Sequence, residues 1–129
     1  YGERNAYMAA LRSMFDAGVM CSLSSDAPSG PIGIQTIDGA VNRYDRNQNV
    51  QCDKSQAVSV TEAIRAATYN GAYSSFEEHI KGSLEVGKLA DMIVLSDDIL
   101  KIDPMDIHTL RVDCTVIDGL FEYERAEEA

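Results

Sequence analysis

The spacing of apolar positions changes character along this chain. Over residues 3–17, "ERNAYMAALRSMFDA", Tyr7, Leu11 and Met14 recur at helical spacing with Ala10 beside them, and Gly18 is placed to end the helix. Val19–Ser25, "VMCSLSS", is short and partly apolar, which predicts a buried strand. A helix, a glycine turn and a buried strand form one unit of a parallel α/β sheet. Asp26 falls just past the strand's carboxyl end, where parallel α/β folds carry their chemistry.

The next stretch, "APSGPIGIQ", is rich in turn formers, and Thr36–Tyr44 reads as a short helix despite Gly39. Asp45–Gln56 is polar and unpatterned, as an exposed loop is. Ser59 opens the strongest helix. Ser59 and Glu62 have the S-x-x-E spacing of a capping box, and Val60, Ala63, Ile64, Ala67, Gly71 and Ala72 follow one face to an expected end near Glu78. After His79 the period shortens. Met92–Leu95, Leu110–Ile117 and Leu120–Glu124 read as strands, and Asp118-Gly119 is a two-residue hairpin signal. Val112, Cys114 and Val116 alternate with polar residues, so one face of that strand is expected to be buried. The chain thus reads as α/β for its first two thirds and antiparallel β for its last.

Composition narrows the function classes. Hydrophobic residues make up 45% and charged residues 25% of the 129, which is globular. A net charge of −10 argues against nucleic acid and against an anionic membrane surface, and no apolar run reaches the length of a span. Cys21, Cys52 and Cys114 are odd in number, far apart and without CxxC spacing. That excludes a disulfide framework and a cysteine zinc site, and it points to a reducing, cytoplasmic compartment.

Candidate chemistry concentrates on Asp26. At a strand mouth, after a serine-rich run, a carboxylate serves as a metal ligand or as the base for a water; the bland alternative is a side chain that caps an Asp-Ala-Pro turn. His79 and His108 share neither HxH nor HExxH spacing and read as structural or exposed. Arg43 could meet an acidic substrate, although a surface arginine is the default. Gly82 and Gly87 lead into a strand rather than a helix, so they lack the geometry of a phosphate loop. Asp91 is expected to close a turn.

Four stretches then add up: "DAGVMCSLSSDAP", "TEAIRAATYNGAYSSFEE", "KGSLEVGKLADMIVLSDD" and "VDCTVIDGLFEY". In this order they resemble the carboxyl-terminal end of the amidohydrolase superfamily, in the branch of N-substituted formamide deformylase-like enzymes. The resemblance runs from Leu11 to Tyr123. It implies a (β/α)8 TIM barrel with a small β-sandwich, with Val19–Ser25 as the eighth barrel strand. It implies that Asp26 binds or faces the active-site metal, usually zinc, and takes the proton of the water that attacks an amide-type carbon. Pro28 and Ser29 would border the substrate pocket as part of a βα loop.

The histidine ligands of such enzymes, including the first-strand HxH, do not occur in this chain. A whole barrel takes about 200–250 residues. The expectation is therefore an incomplete barrel: residues 1–79 as the last strand with its helices, and residues 80–129 as strands of the sandwich. The chain would be a C-terminal fragment, inactive and free of metal by itself, that belongs to a hydrolase of small amide-type substrates. Its uncovered apolar surface would favour self-association or domain swapping. The alternative is a stand-alone, non-catalytic interaction or assembly domain derived from such an enzyme.

Overall fold

The computed structural model describes residue 4 and residues 8–26, 33–44 and 52–126. They form a helical layer, followed by a three-stranded sheet.

Helix α1 spans Leu11–Asp16. It starts later than the periodicity predicts for a physical reason. Ala9 has φ 49°, and the Arg43 guanidinium binds the carbonyls of Met8 at 2.7 Å and Ala9 at 3.2 Å, which a longer helix would use for its own bonds. Its end follows the glycine as expected. Gly18 at φ 75° donates to the Phe15 carbonyl and Val19 to the Met14 carbonyl, which closes a Schellman motif.

Helix α2 spans Ile34–Asn42 and ends with Arg43 in the left-handed region. A 3₁₀ turn follows at Lys54–Gln56; residues 45–51 of the expected loop lie outside the described residues. Helix α3 spans Val60–Ala67 and begins with the predicted capping box: Ser59 Oγ accepts from the Glu62 N–H, and Glu62 accepts from the Ser59 N–H. The single long helix expected from Ser59 is in fact two. Thr68 leaves helical geometry at φ −119°, ψ −86°, and α4 runs Tyr69–Ser74. The buried face shifts accordingly, with Ala66 buried and Ala67 exposed. Helix α4 stops short of Glu78 because a second Schellman closure forms there. Phe76 at φ 60° donates to Tyr73 and Glu77 to Ala72, without a glycine to signal it.

Strands β1 (Met92–Leu95), β2 (Val112–Ile117) and β3 (Leu120–Glu124) form an antiparallel sheet in that order. The expected hairpin is present. Ile117 faces Leu120 across Asp118 and Gly119, both at positive φ, as a type I′ turn requires. Asp91 accepts from the Asp118 N–H at 2.8 Å, so it braces that hairpin rather than its own turn. Met92, Val116 and Phe121 stand opposite one another on one face, and Ile93, Thr115 and Tyr123 on the other. Val116 is buried, but Val112 and Cys114 are only half-buried, since no second layer covers the sheet among the described residues.

The core is Leu11, Ile37, Ala40, Val58, Ala63 and Ile107. Ile107 reaches it from a 3₁₀ helix, Pro104–Thr109, in the connection between β1 and β2. Asn42 of α2 holds that excursion by donating to the Pro104 carbonyl at 2.7 Å. Gly82 crosses the α3–α4 break at φ 90°, where an added Cβ would lie 2.7 Å from the Ala72 Cβ. Only glycine fits that approach.

Candidate functional site

From Met20 onward the Val19–Ser25 segment alternates as a strand does: Cys21, Leu23 and Ser25 are half-buried, while Met20, Ser22, Ser24 and Asp26 are exposed; Val19 is exposed too. Cys21 and Leu23 pack on the core cluster, so one face of the segment lies on the helical layer. The predicted strand nevertheless joins no sheet among the described residues, because none of them lies beside it as a ladder partner. It is held by the helices instead. The Leu23 N–H donates to the Ala66 carbonyl at 3.1 Å, and Asn70 Nδ2 donates to the Cys21 carbonyl at 2.7 Å. Both partners flank the break at Thr68, whose hydroxyl folds back on the Ile64 carbonyl.

Asp26 ends this segment on the exposed face, at φ 49°, a region that Asp visits more readily than most residues. Its N–H lies 3.4 Å from Ser24 Oγ, and its carboxylate makes no hydrogen bond or ion pair among the described residues. The carboxylate is thus available to a ligand or a proton. Pro28 and Ser29 lie outside the described residues.

Among the described residues, two clefts flank the segment. One, of about 420 Å³, lies between α1, the segment and α2, lined by Leu11, Cys21, Ser24, Thr36, Ala40 and Arg43. Asp26 does not line it. The other, of about 220 Å³, lies between α1 and α3 and is lined by Arg12, Glu62, Arg65 and Asn70 among others. Arg12 clamps both Glu62 oxygens at 2.8 Å and also bonds Asp16. The Ser59 backbone N–H, and then Arg12, pull the Glu62 carboxyl down to about 2. Glu62 therefore stays charged and serves as a helix cap and tie.

Arg43 corrects the sequence expectation. It is 7% exposed, not a surface side chain, and its guanidinium is occupied with the Met8 and Ala9 carbonyls. His79 and His108 are exposed, as expected, with His108 Nδ1 2.8 Å from the Met105 carbonyl. Among the described residues no cluster of three His, Cys, Asp or Glu could hold a metal. A catalytic zinc takes about three protein ligands, so these residues hold one candidate donor, Asp26, and not a metal site. Asn70 escaped the sequence reading although a signal was present. It follows Ala63 and Ala66 at i+7 and i+4, which puts an amide on the buried face of an apolar helix pattern.

The chain is similar to known proteins over most of its length. A family profile described as "Amidohydrolase family" matches residues 2–122. The N-substituted formamide deformylase of Arthrobacter pascens is 35% identical over 115 residues, which is 89% of this chain and 21% of the relative. The putative amidohydrolase YtcJ of Bacillus subtilis (strain 168) is 32% identical over 121 residues, 91% of this chain and 23% of the relative. The crystal structure of an amidohydrolase from Thermotoga maritima MSB8 superposes with a TM-score of 0.62 at 23% identity, covering 89% of this chain and 26% of that one. The chain therefore spans about a fifth to a quarter of each of these three proteins. No helix among the described residues is long and apolar enough to cross a membrane.

Proposed function

The chain belongs to the amidohydrolase family, and on that premise we propose that it is the carboxyl-terminal part of a metal-dependent hydrolase of C–N bonds. In this reading Val19–Ser25 is the last barrel strand, α2 to α4 belong to the outer helical layer, and β1 to β3 belong to one sheet of a β-sandwich. The observation that carries it is the position of Asp26: a carboxylate without a partner among the described residues, on the open face of a segment whose other face is packed on helices. Asp26 takes the proton of the attacking water and delivers it to the leaving nitrogen of an amide-type substrate. A divalent metal such as zinc, when bound, lowers the pKa of that water and polarises the carbonyl. With one donor of about three, the isolated chain turns over nothing.

The test is Asp26→Asn in the complete reading frame that encodes this chain, supplied with zinc and assayed on formamides and cyclic amides. Loss of a general base lowers turnover by about 10²–10⁴. Undiminished turnover in a folded variant would refute the role.

A second reading, an assembly module that associates with its own copies, is favoured by the open sheet, where Leu120 is 65% and Phe121 67% exposed. It predicts association that grows with concentration in light scattering.

A further inference from the structure

Buried polar atoms are nearly always hydrogen-bonded, and exceptions concentrate where something besides stability is served. Asn70 is such an exception. The residue is 4% exposed, its Nδ2 donates to the Cys21 carbonyl at 2.7 Å, and its Oδ1 is buried with no partner among the described residues. A leucine would fill the same space without a buried Oδ1, but it would leave the Cys21 carbonyl without this donor. What asparagine adds is the bond to Cys21.

Cys21 belongs to the segment that ends in Asp26. Among the described residues no strand ladder fixes the register of that segment. Val19 N–H and Cys21 Sγ tie its start to Met14 of α1, and its ties to α3 and α4 are the Leu23–Ala66 bond and the Asn70–Cys21 bond, on either side of the α3–α4 break. Gly82 lies across that break, where an added Cβ would meet Ala72 and the backbone of Thr68 and Tyr69. We propose that Asn70 is a positioning residue: through Cys21 it sets the register of the segment against the helices, and so fixes where the Asp26 carboxylate stands. The catalytic consequence rests on the role given to Asp26 above; the structural one does not.

Hydrogen exchange on the full 129-residue chain tests the structural part. In Asn70→Leu the Leu23 amide is expected to exchange about tenfold faster, the change that a lost hydrogen bond brings, while Ala63 within α3 keeps its protection. Unchanged protection at Leu23 overturns the proposal. Asn70→Asp keeps the shape, removes the donor and is expected to give the same loss, so it serves if the leucine variant does not fold. In the wild-type chain a scalar coupling between Asn70 Nδ2 and the Cys21 carbonyl carbon is expected, and its absence overturns the proposal whatever the variants do. In the complete enzyme, Asn70→Leu should lower kcat about ten- to a hundredfold with KM unchanged, as misplacement of a reacting group does. An unchanged kcat overturns the positioning role. Turnover that survives Asp26→Asn overturns the role of Asp26 instead, and leaves the exchange result standing.

Discussion

The helical layer and the sheet are unfinished in opposite senses. In the helical layer faces are covered: Ala63 and Ala66 are fully buried, and Cys21 and Leu23 pack on the core. What is open there is backbone, because Val19–Ser25 has no ladder among the described residues. In the sheet the ladders are made, from Met92–Val116 to Ile117–Leu120, and the faces are open, with Ile93 51% and Tyr123 48% exposed. The first region needs hydrogen-bonding partners in the plane of a strand, the second an apolar cover. A single surface cannot serve both needs. Stability of the chain should therefore reside in the helical layer.

The sharpest attack on this contrast is Ile107→Ala. Its side chain is fully buried in the helical core, so the truncation should cost about 2–5 kcal/mol. That is a large part of the roughly 5–15 kcal/mol that hold a domain together. Chemical denaturation reads it directly, and a loss below 1 kcal/mol would place the stability elsewhere.

Acid should act next. The Glu62 carboxyl titrates near 2 in the folded chain against 4.5 unperturbed, so it stabilises fully above 4.5 and loses that contribution as the pH falls towards 2. The melting temperature of the wild type should decline across this window, and Glu62→Gln should flatten the decline. A variant with the same acid profile as the wild type would mean that the Arg12 clamp and the cap contribute little.

The smallest effect belongs to Leu120→Lys, on the open sheet. Its melting temperature should correspond to a change within about 0.5 kcal/mol. A lysine there should also weaken any concentration-dependent association seen by light scattering. A large destabilisation would mean that this face is covered after all.

Much of this was legible in the sequence because it is local. The capping box at Ser59, the glycine end of α1 and the Asp118-Gly119 hairpin each follow from a few adjacent residues whose chemistry meets backbone needs. What escaped depends on distant partners. The late start of α1 is set by Arg43, more than thirty positions away, and the same contact buries the arginine. The break at Thr68 has no proline or glycine to announce it, and its partners lie at Leu23, Cys21 and Gly82. Val19–Ser25 reads as a strand from its short, partly apolar run, but pairing is a property of neighbours and not of the segment. For the candidate site, spacing puts Asp26 at the end of that segment, where its carboxylate has no partner among the described residues. The residues that hold the segment could be found only in three dimensions.

The excursion that carries Ile107 also sets a schedule. On the ribosome α1 to α4 are complete once Ser74 is made, but the residue that fills their centre is encoded roughly thirty positions later. At about 5–20 residues per second, synthesis leaves the nascent helices without their plug for roughly 2–7 s. During that interval the pocket reserved for Ile107 is exposed apolar surface, open to chaperones and to neighbouring chains alike.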